Sequence, residues 1–571
     1  MRRALFTLLA ALAPVIAGAQ RGPLSDRQQL PGDVRREVAE KWNRPNAVRS
    51  ADRLEIEAGQ EVTGDVAVQR GPLIISGHVI GSVLAINSDV LLRPTARIDG
   101  NLLVVGGEVD GRNSAFIGGS TRIYRQSLVY RTEGDQLIPS DSGMSDGLSW
   151  WQRIERRREG NWSEPLRVVQ AGPYNRVEGL PIELGPAIYR RTSWGSLDFA
   201  PAAVVRTGAS FSSERADVGY HVRTEIRFGH GAGIGIGGRL VSVVEPIETW
   251  SLTDLEVALA SFVARRDYRD YFQRHGANLF VTLYGAGDLS LTGSYGHERW
   301  SSRDLKNPFT IFNSDRNWRD NPLVDDGPFH VATAQLQFDT RTDPEDPWAG
   351  WFVNAELEYG NGTITSAAPM SGTTPRVTAL GPTSYTRGLF DVRRYNRLGP
   401  DAQLNMRVVL GGWLGGDPLP LERRLSVDGP GALPGFDFRS ARAGTDVGTC
   451  SGGPPVAGRP AECERIALAQ IEYRGDLRLK FTGNWEGWPR RFHSAHGDVV
   501  WVLFADAGRG WRVGPPVGTL SYPSGDWPPL STFRSDIGLG LDFAGIGVYA
   551  AKSVSTPAEP INFFVRLRHR F

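Results

Sequence analysis

The sequence predicts an all-β protein: a transmembrane antiparallel β-barrel of about 16 strands, preceded by a small periplasmic β-solenoid. Three observations carry that expectation. Alternating segments of about ten residues recur through residues 173–571, separated by turns rich in Gly, Asp, Asn and Pro. Those segments carry arginine and glutamate mid-strand, which a protein core would leave without partners but a wet barrel lumen would not. Ahead of them, residues 52–125 repeat a glycine-cornered β pattern.

Taken in order, the 571-residue chain opens MRRALFTLLAALAPVIAGAQ. Arg2 and Arg3, the apolar run Ala4 to Ile16 and the triplet Ala17-Gly18-Ala19 read as a secretory signal peptide over residues 1–19, with Gln20 the first mature residue. No later segment approaches the ~20 unbroken apolar residues of a membrane helix. The net charge of +1 gives no electrostatic case for nucleic acid as a partner. Residues 20–51 are polar with no sustained apolar period and read as a mobile leader or a short helix.

Within 52–125, Val62-Thr-Gly64-Asp-Val66, Val79-Ile-Gly81-Ser-Val83 and Ile98-Asp-Gly100-Asn-Leu102 share one pattern, with starts 17 and 19 residues apart. Short β-branched strands with a glycine at each corner describe a solenoid in which each coil buries its inward residues on the next. An ordinary meander would not need such regular glycines. Residues 126–172 read as a linker. Its stretch LSWWQRIERRR (148–158) predicts a helix with Trp150, Trp151 and Ile154 opposite Arg153, Arg156 and Arg157. Such a helix suits a membrane–water interface or a packing role.

The barrel strands are clearest in HVATAQLQFD, QLNMRVVLGG and IALAQIEYR, where apolar residues alternate with polar ones such as Gln335, Arg407 and Glu472. The sequence closes on INFFVRLRHRF (561–571). Phe563, Val565, Leu567 and Phe571 fall on one face, read as the lipid side and as the C-terminal strand signal, with His569 the polar member of that register. Asn562, Arg566, Arg568 and Arg570 fall on the other face, where Phe564 is the exception. Cys450 and Cys463, the only cysteines, lie in one loop-like stretch. In an oxidising compartment they can close a local disulfide worth about 3 kcal/mol.

Catalytic motifs are missing. GHGAGIGIGG (229–238) has glycine at every second position, not phosphate-loop spacing, and reads as a strand with one smooth face. TGSYG lacks nucleophile-elbow spacing, and His297-Glu298 is not followed by a second histidine at helical spacing. The reading is therefore not an enzyme, with no cofactor and no metal. Its expected surroundings are outer-membrane lipid, and its solenoid is expected to meet a periplasmic protein, peptidoglycan or another copy of the chain.

Two resemblances add to this. The 52–125 repeat resembles the bactofilin-type polymerising β-helix. Over residues 174–571 several stretches resemble the bacterial surface antigen superfamily, which includes barrel-assembly and two-partner-secretion transporters. They are DTRTDPEDPWAGW (339–351), IALAQIEYR with Glu472, FADAG (504–508) with Asp506 and Gly508, and DIGLGLDFAGIGVYAAKSV with the terminal Phe571. The resemblance implies a barrel with a long inward-folded loop and a role in protein or lipid transport or assembly; a structural envelope anchor and a passive pore or receptor are the alternatives. The family loop carries a Val-Arg-Gly-Phe tetrad whose arginine pairs with lumenal acids. Here the matching residues are Leu433-Pro434-Gly435-Phe436, with proline in place of the arginine. Glu472 and Asp506 then need another cation, for which Arg439 is the expected stand-in, unless the loop lies outside and water screens the acids. The family's periplasmic docking modules are also replaced, by the solenoid, so fold transfers better than activity.

Overall fold

In the computed structural model the described residues run from 30 to 571, apart from 140–168 and shorter stretches, chiefly 209–216, 367–379, 440–446, 451–460, 485–493 and 515–520. The expected signal peptide and the helix over 148–158 lie outside them. Among the described residues no helix is long and apolar enough to cross a membrane.

The first unit is a three-faced parallel β-helix. Its principal sheet stacks Val48–Ser50, Val66–Gln69, Val83–Ile86, Leu102–Val105 and Thr121–Tyr124 in register. Two four-stranded parallel sheets form the other faces. Inward Val66, Leu73, Val79, Val83, Val90, Ile98 and Leu102 make one apolar core. The repeat glycines share a corner where coils touch backbone to backbone. A Cβ on Gly81 would stand 2.2 Å from the Gly64 carbonyl oxygen, and one on Gly100 2.5 Å from that of Gly81. Only glycine fits there.

The polar leader contains a helix, α1 (Gly32–Trp42), and the expected linker contributes a hairpin, Tyr130–Glu133 with Gln136–Pro139. Val34, Val38 and Trp42 recur at helical spacing and cover the outer face of the principal sheet at Ala67, Leu84 and Leu103, together with Leu137. Its three central strands are therefore buried on both faces, which explains their consecutive apolar residues at 66–68, 83–86 and 102–105.

The second unit is one antiparallel sheet in sequential order. Its staves are β1 (Val169–Ala171), β2 (Pro181–Leu184, continued by Ile188–Arg191), β3 (Gly195–Arg206), β4 (Val218–Phe228), β5 (Gly233–Pro246), β6 (Tyr271–Tyr284), β7 (Leu289–Ser301) and β8 (Gly327–Asp339). They continue as β9 (Gly350–Ile364), β10 (Gly381–Gly399), β11 (Ala402–Gly416), β12 (Arg465–Asn484), β13 (Ser494–Val513), β14 (Arg534–Phe543), β15 (Ile546–Ser553) and β16 (Ile561–Leu567). The two pieces of β2 lie end to end on one flank of β3. Ser521–Tyr522 adds a short parallel pairing outside the run of staves.

One face of the sheet is apolar and exposed: Leu279 is 73% and Phe563 74% accessible, with Leu291, Leu357, Leu503 and Leu539 beside them. The opposite face buries Arg407, Glu472, Asp506 and Arg570. Apolar outside and charged inside is the polarity of a transmembrane barrel, the inverse of a soluble sandwich. The short links from β4 to β5 and from β14 to β15 fall at one end of the sheet, and long connections, 247–270, 302–326, 417–464 and 514–533, at the other. β1 starts at the short-turn end, and the solenoid lies there too. Arg53 Nη1 meets Asp476 Oδ2 of β12 at 3.0 Å, and Asp89 pairs with Arg397 of β10.

Candidate functional site: a loop-filled, charge-lined lumen

Two long connections fold inward. The 247–270 connection carries α2 (Asp254–Ala264), opened by a capping box: Thr253 N donates to Glu256 Oε2 at 2.9 Å, and Glu256 N donates to Thr253 Oγ1 at 3.3 Å. The same Glu256 carboxylate takes Arg566 Nε at 2.6 Å and the Leu567 amide at 2.9 Å, which ties α2 to β16. Burial works to raise the Glu256 pKa, and the Arg566 guanidinium outweighs it, holding the carboxyl below its usual range.

The 417–464 connection builds its own core inside the barrel. Leu425, Val427, Leu433 and Phe436 pack with the Cys450–Cys463 disulfide, Trp250, and Val409, Ile466 and Leu468 of the wall. Its tip is pinned to three staves. Gly435 N donates to Asp536 Oδ2 at 2.7 Å, Asn562 Nδ2 to Pro434 O at 3.1 Å, and Gln470 Nε2 to Ala432 O at 3.0 Å. A Cβ on Gly435 would fall 2.5 Å from Asp536 Cβ, so the close approach needs glycine. Phe436 is buried under the Arg534 guanidinium, 4.7 Å from the ring centroid. Gly508 faces the same tip, within reach of Leu433 and Leu468.

Glu248 joins the two connections. Its carboxylate accepts from Ser426 N (2.7 Å), Ser426 Oγ (2.9 Å) and Arg439 Nη2 (2.9 Å). Arg439 also faces Asp270 at 3.2 Å and Asp428 at 3.8 Å, and Asp270 pairs with Arg176 (2.9 Å) and Arg319 (2.6 Å). Arg439 is thus the hub of the connections near the long-loop end, and it is not the cation of Glu472 and Asp506. It adopts a left-handed conformation, φ 53°, and its amide caps Asp428 at 2.6 Å, which aims the side chain away from β12 and β13.

Asp506 is instead paired with Arg570, whose guanidinium also lies over the Phe504 ring at 3.6 Å. Glu472 accepts from Asn405 Nδ2 at 2.9 Å and lies 3.6 Å from Arg474. Delivering Arg570 turns the end of the sequence inward, and this corrects the placement of Phe571. Its register face was read as lipid-facing, yet Phe571 is 7% accessible, packs on Tyr395 of β10 and accepts from Tyr395 Oη at 2.7 Å. The rest of the strand keeps the expected faces, with Phe563 and Val565 outward, Arg566 inward, and Leu567 partly covered.

Sequence reasoning missed Glu248, Asp270 and the lumenal triad Asp391–Arg393–Arg407, in which Asp391 takes both arginines at 2.9 and 2.8 Å. Arg407 Nη2 also donates to Trp250 O at 2.6 Å. The Thr253-Asp-Leu-Glu256 box was the available signal for an ordered helix between β5 and β6.

These features define a class: a transmembrane β-barrel plugged by its own connections and carrying a β-solenoid at the short-turn mouth. No protein-family model matches the chain, and no curated protein does. Among solved structures it is similar to BamA from Haemophilus ducreyi lacking POTRA domains 1–3, at 12% identity over 69% of each chain with a TM-score of 0.40. It is also similar to CdiB from Acinetobacter baumannii (11% identity, 70% of this chain and 58% of that one, TM-score 0.31) and CdiB from Escherichia coli (10%, 70% and 62%, TM-score 0.31). The chain spans less than two thirds of either CdiB. The fold assignment stands on strand register and on the two faces of the sheet.

Proposed function

We propose that this is an outer-membrane barrel acting in protein or lipid transport or assembly, and neither an enzyme nor an open pore. One observation carries the reading: the 417–464 connection folds into the barrel and is tied to Gln470, Asp536 and Glu248. An interior occupied this way favours a device that works by shifting its loops or wall over a static aqueous path. Short turns belong to the periplasmic side of such barrels and long loops to the outside. The solenoid then sits in the periplasm, within reach of a client protein, peptidoglycan or another copy of the chain. A second reading, an envelope anchor, draws on the same solenoid and its Arg53–Asp476 contact.

Two measurements separate these. In planar bilayers the purified chain is expected to carry little steady current, and depletion from cells is expected to lower the content of folded outer-membrane proteins or to disturb lipid distribution. A large steady conductance would restore the pore reading. Depletion that leaves both protein and lipid unchanged would favour the anchor.

A further inference from the structure

The lipid-facing wall is not smooth. A groove of about 660 Å³ crosses the outside of the wall as far as β13, and its floor follows a single register row from β8. Its floor passes through Ala334, Leu357, Gly388, Gly412 and Arg465 to Trp511, each the direct cross-strand partner of the one before. Three of these six are glycine or alanine, while the row beside it carries the larger Leu336, Phe390 and Leu410, which form a raised margin. The row begins mid-strand on β8, at Ala334, with Leu291 and Leu336 of the margin beside it, and ends at the long-loop rim, where Trp527 covers the buried Trp511 with the rings 5.2 Å apart.

The length is informative. Five strand spacings, from β8 to β13, make about 24 Å along the hydrogen-bonding direction. At the usual barrel tilt that descends about 14–17 Å along the membrane normal, close to the roughly 15 Å of one leaflet's hydrocarbon. The polar end is equally specific. Arg465 sits at the rim, stacked 5.3 Å over the Trp413 ring, with Nε donating to Trp413 O at 2.8 Å. The carboxylate that acts on its charge, Glu464, is shared with the Val513 amide. An apolar trench one leaflet deep with a guanidinium at its head end complements one molecule type.

The geometry points to a binding site for a phosphate-bearing lipid of the outer leaflet, with an acyl chain in the trench and its phosphate on Arg465. This rests on the membrane-spanning reading and is independent of the transport role. Native mass spectrometry of the full chain, titrated with dioleoylphosphatidylglycerol, tests it; dioleoylglycerol (no phosphate) and glycerol phosphate (no chains) are the comparators. The wild type is expected to retain one phosphatidylglycerol. Filling the trench with A334L and G388L should weaken binding about tenfold or more, since a Cβ on Gly388 meets the movable Leu414 side chain at 3.2 Å and the Glu356 carbonyl oxygen at an ordinary 3.5 Å. R465Q should weaken phosphatidylglycerol about tenfold and leave dioleoylglycerol unchanged. Should the double variant not fold, A334L alone carries the same expectation. Equal retention by all variants, or a broad lipid distribution on the wild type, overturns the site. Glycerol phosphate binding as well as the whole lipid overturns the acyl assignment. A chain that does not float with vesicles removes the membrane reading as well.

Discussion

In the solenoid Val79, Ile98 and Leu102 are fully buried and charged residues lie outside; in the barrel Asp391, Arg407 and Glu472 are buried and Leu279 and Phe563 stand exposed. The same alternation serves both, because a strand sends successive side chains to opposite faces. What differs is the medium beyond each face. The solenoid coils bury apolar surface against each other in water. Lipid covers the outside of the barrel, and its inside combines the apolar core of the 417–464 connection with ion pairs that leave few choices of partner.

This contrast can be broken in five ways, from the largest effect to the smallest. Ile98→Asp places a charge without a partner among solenoid coils and should cost about 5 kcal/mol, enough to unfold that unit. Limited proteolysis would show the solenoid digested while the barrel persists, and joint loss would mean that the two units fold as one. Asp391→Ala strips Arg393 and Arg407 of their shared carboxylate and should destabilise the barrel by about 3–5 kcal/mol, read as a lowered urea midpoint in detergent. Leu279→Arg on the lipid face should cost about 2–4 kcal/mol, whereas the same change on the exposed surface of the solenoid, at Ile80, should be nearly silent.

The fourth concerns partner choice. A double-mutant cycle between Arg570 and Asp506 should give a coupling of about 1–3 kcal/mol, while Arg439 with Asp506 should be additive within about 0.5 kcal/mol. The reverse ranking would return Arg439 to the role first expected for it. The smallest effect is a pH dependence in the solenoid. A hydrogen bond from Arg122, followed by Lys41, holds the Glu37 carboxyl below its ordinary value of 4.5. A lowered carboxyl pKa stabilises at higher pH, and that contribution fades as pH falls through the carboxylate range. The protection of α1 amides, corrected for the intrinsic slowing of exchange in acid, should therefore fall as pH drops, and Glu37→Gln should flatten the dependence.

How much was legible follows from the same physics. The repeat at Gly64, Gly81 and Gly100 was readable because backbone contact at a corner admits one residue type. The barrel was readable from Gln335, Arg407 and Glu472 standing between apolar neighbours, a local pattern. The lumenal partners were not. Glu472 and Asp506 announced a need for positive charge, but Arg439, Arg474 and Arg570 all satisfy the sequence criterion. The choice depends on where a connection turns and how the final residues curl, neither of which is encoded locally. Phe571 failed for that reason: period two holds only while the strand does, and the strand ends at Leu567.

The disulfide has a consequence for how the molecule can be divided. Cys450 and Cys463 lie between β11 and β12, so the covalent bridge clasps the polypeptide across the boundary between its first eleven staves and its last five. A protease site engineered into the intervening residues would give a nicked species that migrates as one band without reductant and as two with it. The barrel would then be a two-piece assembly with a single removable clasp, and the temperature at which the pieces separate after reduction would measure how firmly the interior holds them without it.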